Sequence, residues 1–291
     1  MIRRFWIICL LFLVGGRFGT KGLAQDTLAF SLTDQGLMIF PAKINQVHQV
    51  DLMLHTAAEG FSLIETVADS LFPSDTGEVY NAHSWGGDQQ GRFLRNQQLG
   101  LGGMTIDSLI LWVNRLSGKG SDGKFGPDLL GSAWLKIDPA TGLLIRYQSL
   151  PDRFEIRGYT PVKTTQGPLG LMLELELGLG TEKIQHSFLM HSGYGAGLLL
   201  DDEFAATHQI SEKVVIESES ELRDAYGNVL KTQKARLSEL RLGRQRLADV
   251  PMSFFSGAIG RQKVSVMGAG VISQFQWLIH FPSGQVYVKT G

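Results

Sequence analysis

The apolar stretch Val50 to Leu54, broken only at Asp51, ends on His55 and Thr56, passes through Ala57, Ala58, Glu59 and Gly60, and turns apolar again from Phe61 to Ile64. That pattern predicts a buried strand, a sharp loop of small residues and a return strand beneath it. A second copy lies further along. Phe188, Leu189 and Met190 lead into His191 and Ser192, small residues follow from Gly193 to Gly197, and Leu198 to Leu200 close the pattern. Each copy sets a histidine and then a hydroxyl residue between two apolar runs.

The duplication reaches beyond these loops. Gly126-Pro127-Asp128-Leu129-Leu130-Gly131, followed by Trp134 to Ile145, recurs loosely as Val266-Met267-Gly268, Val271-Ile272 and then Trp277 to Val288. Gly131 follows His55 by 76 positions and Gly268 follows His191 by 77. Two halves with one order and spacing predict two similar lobes, 25–150 and 162–291, with 151–161 as the linker. Trp112, Trp134 and Trp277 sit in apolar strand runs and are expected in the core. Leucines interleave with Arg236, Arg241, Arg244 and Arg246 at strand spacing, which puts the arginines on the outer face of a hairpin. The acidic alternation Glu217-Ser218-Glu219-Ser220-Glu221 reads as a solvated strand edge or loop.

At the N-terminus, Arg3 and Arg4 precede the apolar run Phe5 to Gly15, and Gly22-Leu23-Ala24 follows, which is the arrangement of a secretory signal peptide over residues 1–24. The run is shorter than the roughly 20 residues a membrane span needs, so no membrane association is expected after cleavage. A secreted or periplasmic location follows. The single cysteine, Cys9, lies inside this segment, so the mature chain would have no disulfide.

Composition narrows the functional classes. The chain has 27 basic and 28 acidic residues, and loss of Arg3, Arg4, Arg17 and Lys21 with the signal would leave the mature protein at −5. Such a charge gives no electrostatic case for nucleic acid. The 35 glycines and the low charge content favour many short strands joined by tight turns. Gly100-Leu101-Gly102-Gly103 has no phosphate-loop context, because no Lys-Ser/Thr pair follows it.

The paired loops, with their shared spacing, resemble the aspartic protease superfamily of pepsin-like and retropepsin-like enzymes, whose two Asp-Thr/Ser-Gly loops meet at a pseudo-twofold axis. That resemblance covers most of residues 27–291 and implies an all-β, two-lobed double barrel with a cleft between the lobes. His55 and His191 stand where the family has its two catalytic aspartates. Thr56 and Ser192 match the hydroxyl residues that brace the loops across the axis; Gly193 keeps the family's glycine, and Ala57 departs from it. Leu99 to Met104 and Leu240 to Gln245 resemble the strand-turn-strand leading out of the flap. Asp138 matches the aspartate of the following hairpin, and His280 replaces it in the second half. The flap itself would fall at His83-Ser84-Trp85-Gly86-Gly87, where Tyr80, His83 and Trp85 could line the cleft or simply form a hairpin.

Two carboxylates that share a proton activate water because one of them is an anion. Two imidazoles, with ordinary pKa values of about 6.5, are mostly neutral at pH 7 and lack that charge. Three readings of His55 and His191 therefore stand. They form a structural pair in a cleft that binds a peptide or partner without cutting it; they are two ligands of a metal site; or they act as an acid–base pair in a hydrolase. Zinc would want a third ligand, which only folding could bring from His83, Glu59 or Asp201. Five positions separate His186 from His191, so on one continuous strand the two face opposite ways. No cofactor is expected.

Overall fold

A computed structural model describes residues 26–84, 87–151, 156–223, 229–255 and 262–291, with the side chains of 82–84 and 87–89 outside the description. The first half contributes β1 (Asp26–Ala29), β2 (Ser31–Leu32), β3 (Met38–Ile44), β4 (His48–Leu54), β5 (Phe61–Ile64), β6 (Glu78–Ser84), β7 (Gly87–Leu101), β8 (Met104–Asn114), β9 (Gly123–Phe125), β10 (Trp134–Asp138) and β11 (Leu143–Tyr147). Eleven more strands repeat the series. They are β12 (Thr160–Val162), β13 (Thr164–Gly167), β14 (Gly170–Leu179), β15 (Glu182–His191), β16 (Leu198–Leu199), β17 (Ser218–Arg223), β18 (Val229–Leu242), β19 (Gln245–Phe255), β20 (Val266–Gly268), β21 (Phe275–His280) and β22 (Gln285–Thr290).

The two halves form eight-stranded sheets of matching order, β2-β3-β4-β9-β5-β8-β7-β6 and β13-β14-β15-β20-β16-β19-β18-β17. A third sheet, β1-β11-β10-β21-β22-β12, takes three strands from each half and joins them where β10 pairs with β21. The fold is all-β and two-lobed. β12 begins at Thr160, so the last two residues of the segment read as a linker are already paired with β22.

Local sequence explains these strands. In β14 the odd positions Leu171, Leu173, Leu175, Leu177 and Leu179 are buried while Glu174 and Glu176 point outward, the two-residue period of a strand with one face on a core. The β7–β8 and β18–β19 hairpins turn at Gly102 and Gly243, both in the left-handed region that glycine enters without strain. One apolar cluster runs through both lobes, from Phe40, Leu54 and Phe125 to Phe188, Met267 and Trp277. A smaller cluster of Leu37, Ile39 and Met53 reaches across to Ala269 of the second lobe.

Strand register corrects two sequence readings. β9 runs parallel to β4, with Met53 opposite Lys124 and Leu54 opposite Phe125; β20 runs parallel to β15, with Leu189 opposite Val266 and Met190 opposite Met267. The counterpart of Val266-Met267-Gly268 is therefore Lys124-Phe125-Gly126, not Leu129-Leu130-Gly131, which belongs to the 3-10 turn Pro127–Leu130 and its end. A lysine in the crossing strand had hidden its apolar pattern. Gly126 and Gly268 hold equivalent places, and a Cβ at either would collide with a carbonyl of the neighbouring loop, that of Ala58 or Ala196. Trp134 and Trp277 are buried. Trp112 is only half-buried, because it lies on the outer face of β8 between the inward residues Leu111 and Val113 and is covered by the rings of Tyr80 and Phe93.

Candidate functional site

The loops after β4 and β15 meet between the lobes. Thr56 and Ser192 sit at their centre, both buried, and each hydroxyl is used twice. Thr56 Oγ1 accepts from the backbone N–H of Ser192 at 3.0 Å and donates to the carbonyl of Met190 at 2.6 Å. Ser192 Oγ accepts from the backbone N–H of Thr56 at 2.9 Å and donates to the carbonyl of Leu54 at 2.6 Å. Four bonds related by a pseudo-twofold fix the loops against each other, and they satisfy backbone groups that burial would otherwise leave without partners.

This brace brings His55 and His191 together, with ring centroids 4.3 Å apart and planes inclined at 55°. His55 is buried and His191 half-buried. Gly193 makes room for the His55 imidazole, since a Cβ on it would lie 2.7 Å from Nε2 and closer still to Cδ2. Ala57 has the Cβ that Gly193 lacks and packs against the apolar group of Leu189, Leu199, Phe255 and Val266. The Nδ1 atoms of both histidines are buried with no hydrogen-bond partner among the described residues.

Electrostatics keep the pair uncharged. Burial pushes His55 well below the ordinary histidine value, helped by repulsion from His191 and then from Lys124. His191 is lowered to about 4, chiefly by burial, with a raising influence from its own backbone and a further push down from Lys124. Both rings are neutral at pH 7.

The third member of the site is Lys124, which nothing in the sequence pattern singled out. It is half-buried on β9, and burial lowers its own pKa. Among the described residues its ammonium has no ion pair or hydrogen bond. With His55 it lines a cavity of about 510 Å³ bounded by Met53, Leu116 to Lys119, Tyr194 to Ala196 and, from the β17–β18 hairpin, Ser220 to Arg223, Thr232 and Lys234. The acidic alternation at 217–221 thus supplies part of a cavity wall, on the edge strand β17 of its sheet.

The remaining sequence candidates that the structure describes lie elsewhere. The Tyr80 ring packs on Trp112 at 4.8 Å between centroids and lies over Gly91, and it does not line this cavity. His83 is in β6 opposite Asp88, with its side chain outside the description, and Trp85 lies outside the described residues altogether. Glu59 is exposed. His186, at the far side of β15, bonds through Nε2 to Asp201 at 2.8 Å and Ser265 at 3.0 Å, and its ring stacks on Phe204. Although that trio has serine, histidine and aspartate, Ser265 is buried and its hydroxyl donates to Asp201 at 2.7 Å, which ties down the N-terminus of a short helix (Asp202–Thr207) rather than arming a nucleophile. Among the described residues no three or more His, Cys, Asp or Glu side chains gather as a metal site.

No protein-family profile matches the chain, and no curated protein matches it in sequence. Solved structures do. The crystal structure of an aspartic proteinase from Irpex lacteus superposes with a TM-score of 0.57 over 92% of this chain and 97% of that one, at 11% sequence identity. At that identity the likeness speaks for the fold alone: an all-β, two-lobed architecture of the pepsin-like kind.

Proposed function

We propose that this is a cleft-binding protein built on the aspartic-protease fold, which holds a peptide or a segment of a partner protein between its lobes and does not hydrolyse it. By the loop resemblance, His55 and His191 stand in place of the two aspartates. The observation that carries the reading is the pair of neutral imidazoles 4.3 Å apart at the meeting of the two loops. Hydrolysis on this fold needs an anion to draw the proton from water as the carbonyl is attacked. A pair whose members resist protonation is a feeble base, because proton-transfer power falls with pKa. Lys124 adds positive charge where the family's reaction needs negative. Secretion, resting on the pattern of residues 1–24, belongs to the same proposal.

The test is incubation of the purified protein with a diverse peptide library from acidic to neutral pH, scored for cleavage and for retention. Retention of intact peptides is the expected result. Acid-dependent cleavage that is lost in His55→Ala would instead make the pair an enzyme, and a library recovered with neither cut nor retained members would remove the binding role.

A further inference from the structure

Lys124 breaks the internal symmetry of the molecule. Its counterpart in the second lobe, by strand register, is Val266, which is buried among Leu189, Leu199 and Phe255. One lobe thus fills this place with an apolar side chain and the other with an ammonium. A lysine turned inward without a carboxylate partner costs stability, since desolvation disfavours its charge and nothing among the described residues repays the cost. Its lowered pKa records the same strain. Natural chains tolerate such a group where a ligand completes it.

The surroundings say which ligand. Among the described residues, Lys119, Lys124, Arg223 and Lys234 line the cavity, against one carboxylate, Glu221, that is already paired with Arg223 at 2.9 Å. This is a cationic cavity on a chain whose overall formal charge is −1. The neutral imidazole of His55 in its wall can donate an N–H to an anion without adding a negative charge of its own.

We propose that the cavity beside His55 takes a carboxylate-bearing peptide, with the carboxylate seated on the ammonium of Lys124 and Lys119 and Lys234 forming a cationic rim. This rests on the peptide-binding reading above and narrows it to a substrate class. The ligand brings the carboxylate that the two loops lack. An acidic side chain and a free C-terminus present the same group, and the experiment separates them.

Four fluorescent peptides of one length are titrated against the full chain by anisotropy: neutral with an amidated end, the same with a central glutamate, the same with a central lysine, and the neutral sequence with a free C-terminal carboxylate. At least one carboxylate peptide should bind about tenfold or more tighter than the amidated neutral one, as expected for a charge pair formed in a partly desolvated site. The central-lysine peptide should bind more weakly than the neutral one. Which carboxylate wins identifies the source. The preference should vanish in Lys124→Met and persist in Lys124→Arg. Lys119→Ala with Lys234→Ala, both at exposed positions, should weaken the acidic peptide severalfold without touching the core. Equal binding of neutral and acidic peptides, or a preference that survives Lys124→Met, overturns the carboxylate assignment and leaves peptide binding intact; binding of none of the four overturns both.

Discussion

Gly193 and His55 face each other across the pseudo-twofold: the imidazole of one loop occupies the space that a Cβ on the other would need, 2.7 Å from Nε2 and closer still to Cδ2. Gly193→Ala should therefore force the ring out of its place or spread the loops. An overpacked buried site typically loses about 1–3 kcal/mol, so urea unfolding should show the variant destabilised by that order. Ala57→Gly, which removes a Cβ at the corresponding place in the first loop, should not displace His191, and the two imidazole environments can be followed by NMR of the histidine ring protons.

Thr56 and Ser192 should behave as one unit. Ser192→Ala leaves the Thr56 N–H and the Leu54 carbonyl short of a partner, and Thr56→Val does the same to the Ser192 N–H and the Met190 carbonyl. Each single change should cost roughly 1–3 kcal/mol or more, as expected for orphaned buried groups. Because the bonds interlock, the double variant should cost clearly less than the sum, with a coupling of about 0.5–3 kcal/mol in a denaturant double-mutant cycle. Additive losses would mean that the loops are held by something else.

The histidine pair should make the protein acid-sensitive in a definite window. Folded pKa values below the unfolded 6.5, about 4 for His191, mean that between those pH values the unfolded chain binds more protons than the native one. Stability is full above about pH 6.5 and declines as pH falls toward 4, by on the order of 3 kcal/mol for His191 alone at one pKa unit per 1.4 kcal/mol. Urea midpoints measured at pH 7 and pH 4.5 should separate in wild type and converge in a His55→Gln, His191→Gln variant.

Asp201 acts in a lower window. Burial pushes its carboxyl up, but hydrogen bonds from His186, the Phe204 backbone and Ser265, with the charge of His186, outweigh that and hold it at about 2, against an ordinary value of 3.8. Its contribution is present above pH 3.8 and lost as pH falls through about 2. Asp201→Asn should cost roughly 1–3 kcal/mol at pH 7, as for other buried charge-assisted hydrogen bonds. The difference between variant and wild type, followed by urea unfolding, should shrink below pH 3.8.

The sequence by itself determined the duplication and therefore the architecture. Period-two burial in runs such as Leu171 to Leu179, glycine at the forced turns, and two apolar-His-hydroxyl-small-apolar loops are local patterns, and local patterns survive in a string of letters. The same loops told which residues belong at the axis, because His55, Thr56, His191 and Ser192 lie beside their own strands. Tertiary structure alone decided what those residues face. Lys124 is 69 positions from His55 in sequence, and its strand did not stand out because a charge replaced the apolar residue that its twin Val266 keeps. Tyr80, a cleft candidate by its place in a hairpin, turned onto Trp112, since both rings gain more by covering each other than by facing water. His186 found Asp201 and Ser265 only when β15 converged with the residues that lead into the helix Asp202–Thr207 and into β20. Burial and charge environment are sums over neighbours distant in the chain, and no spacing rule contains them; that is why the scaffold of the site was legible and its electrostatic character was not.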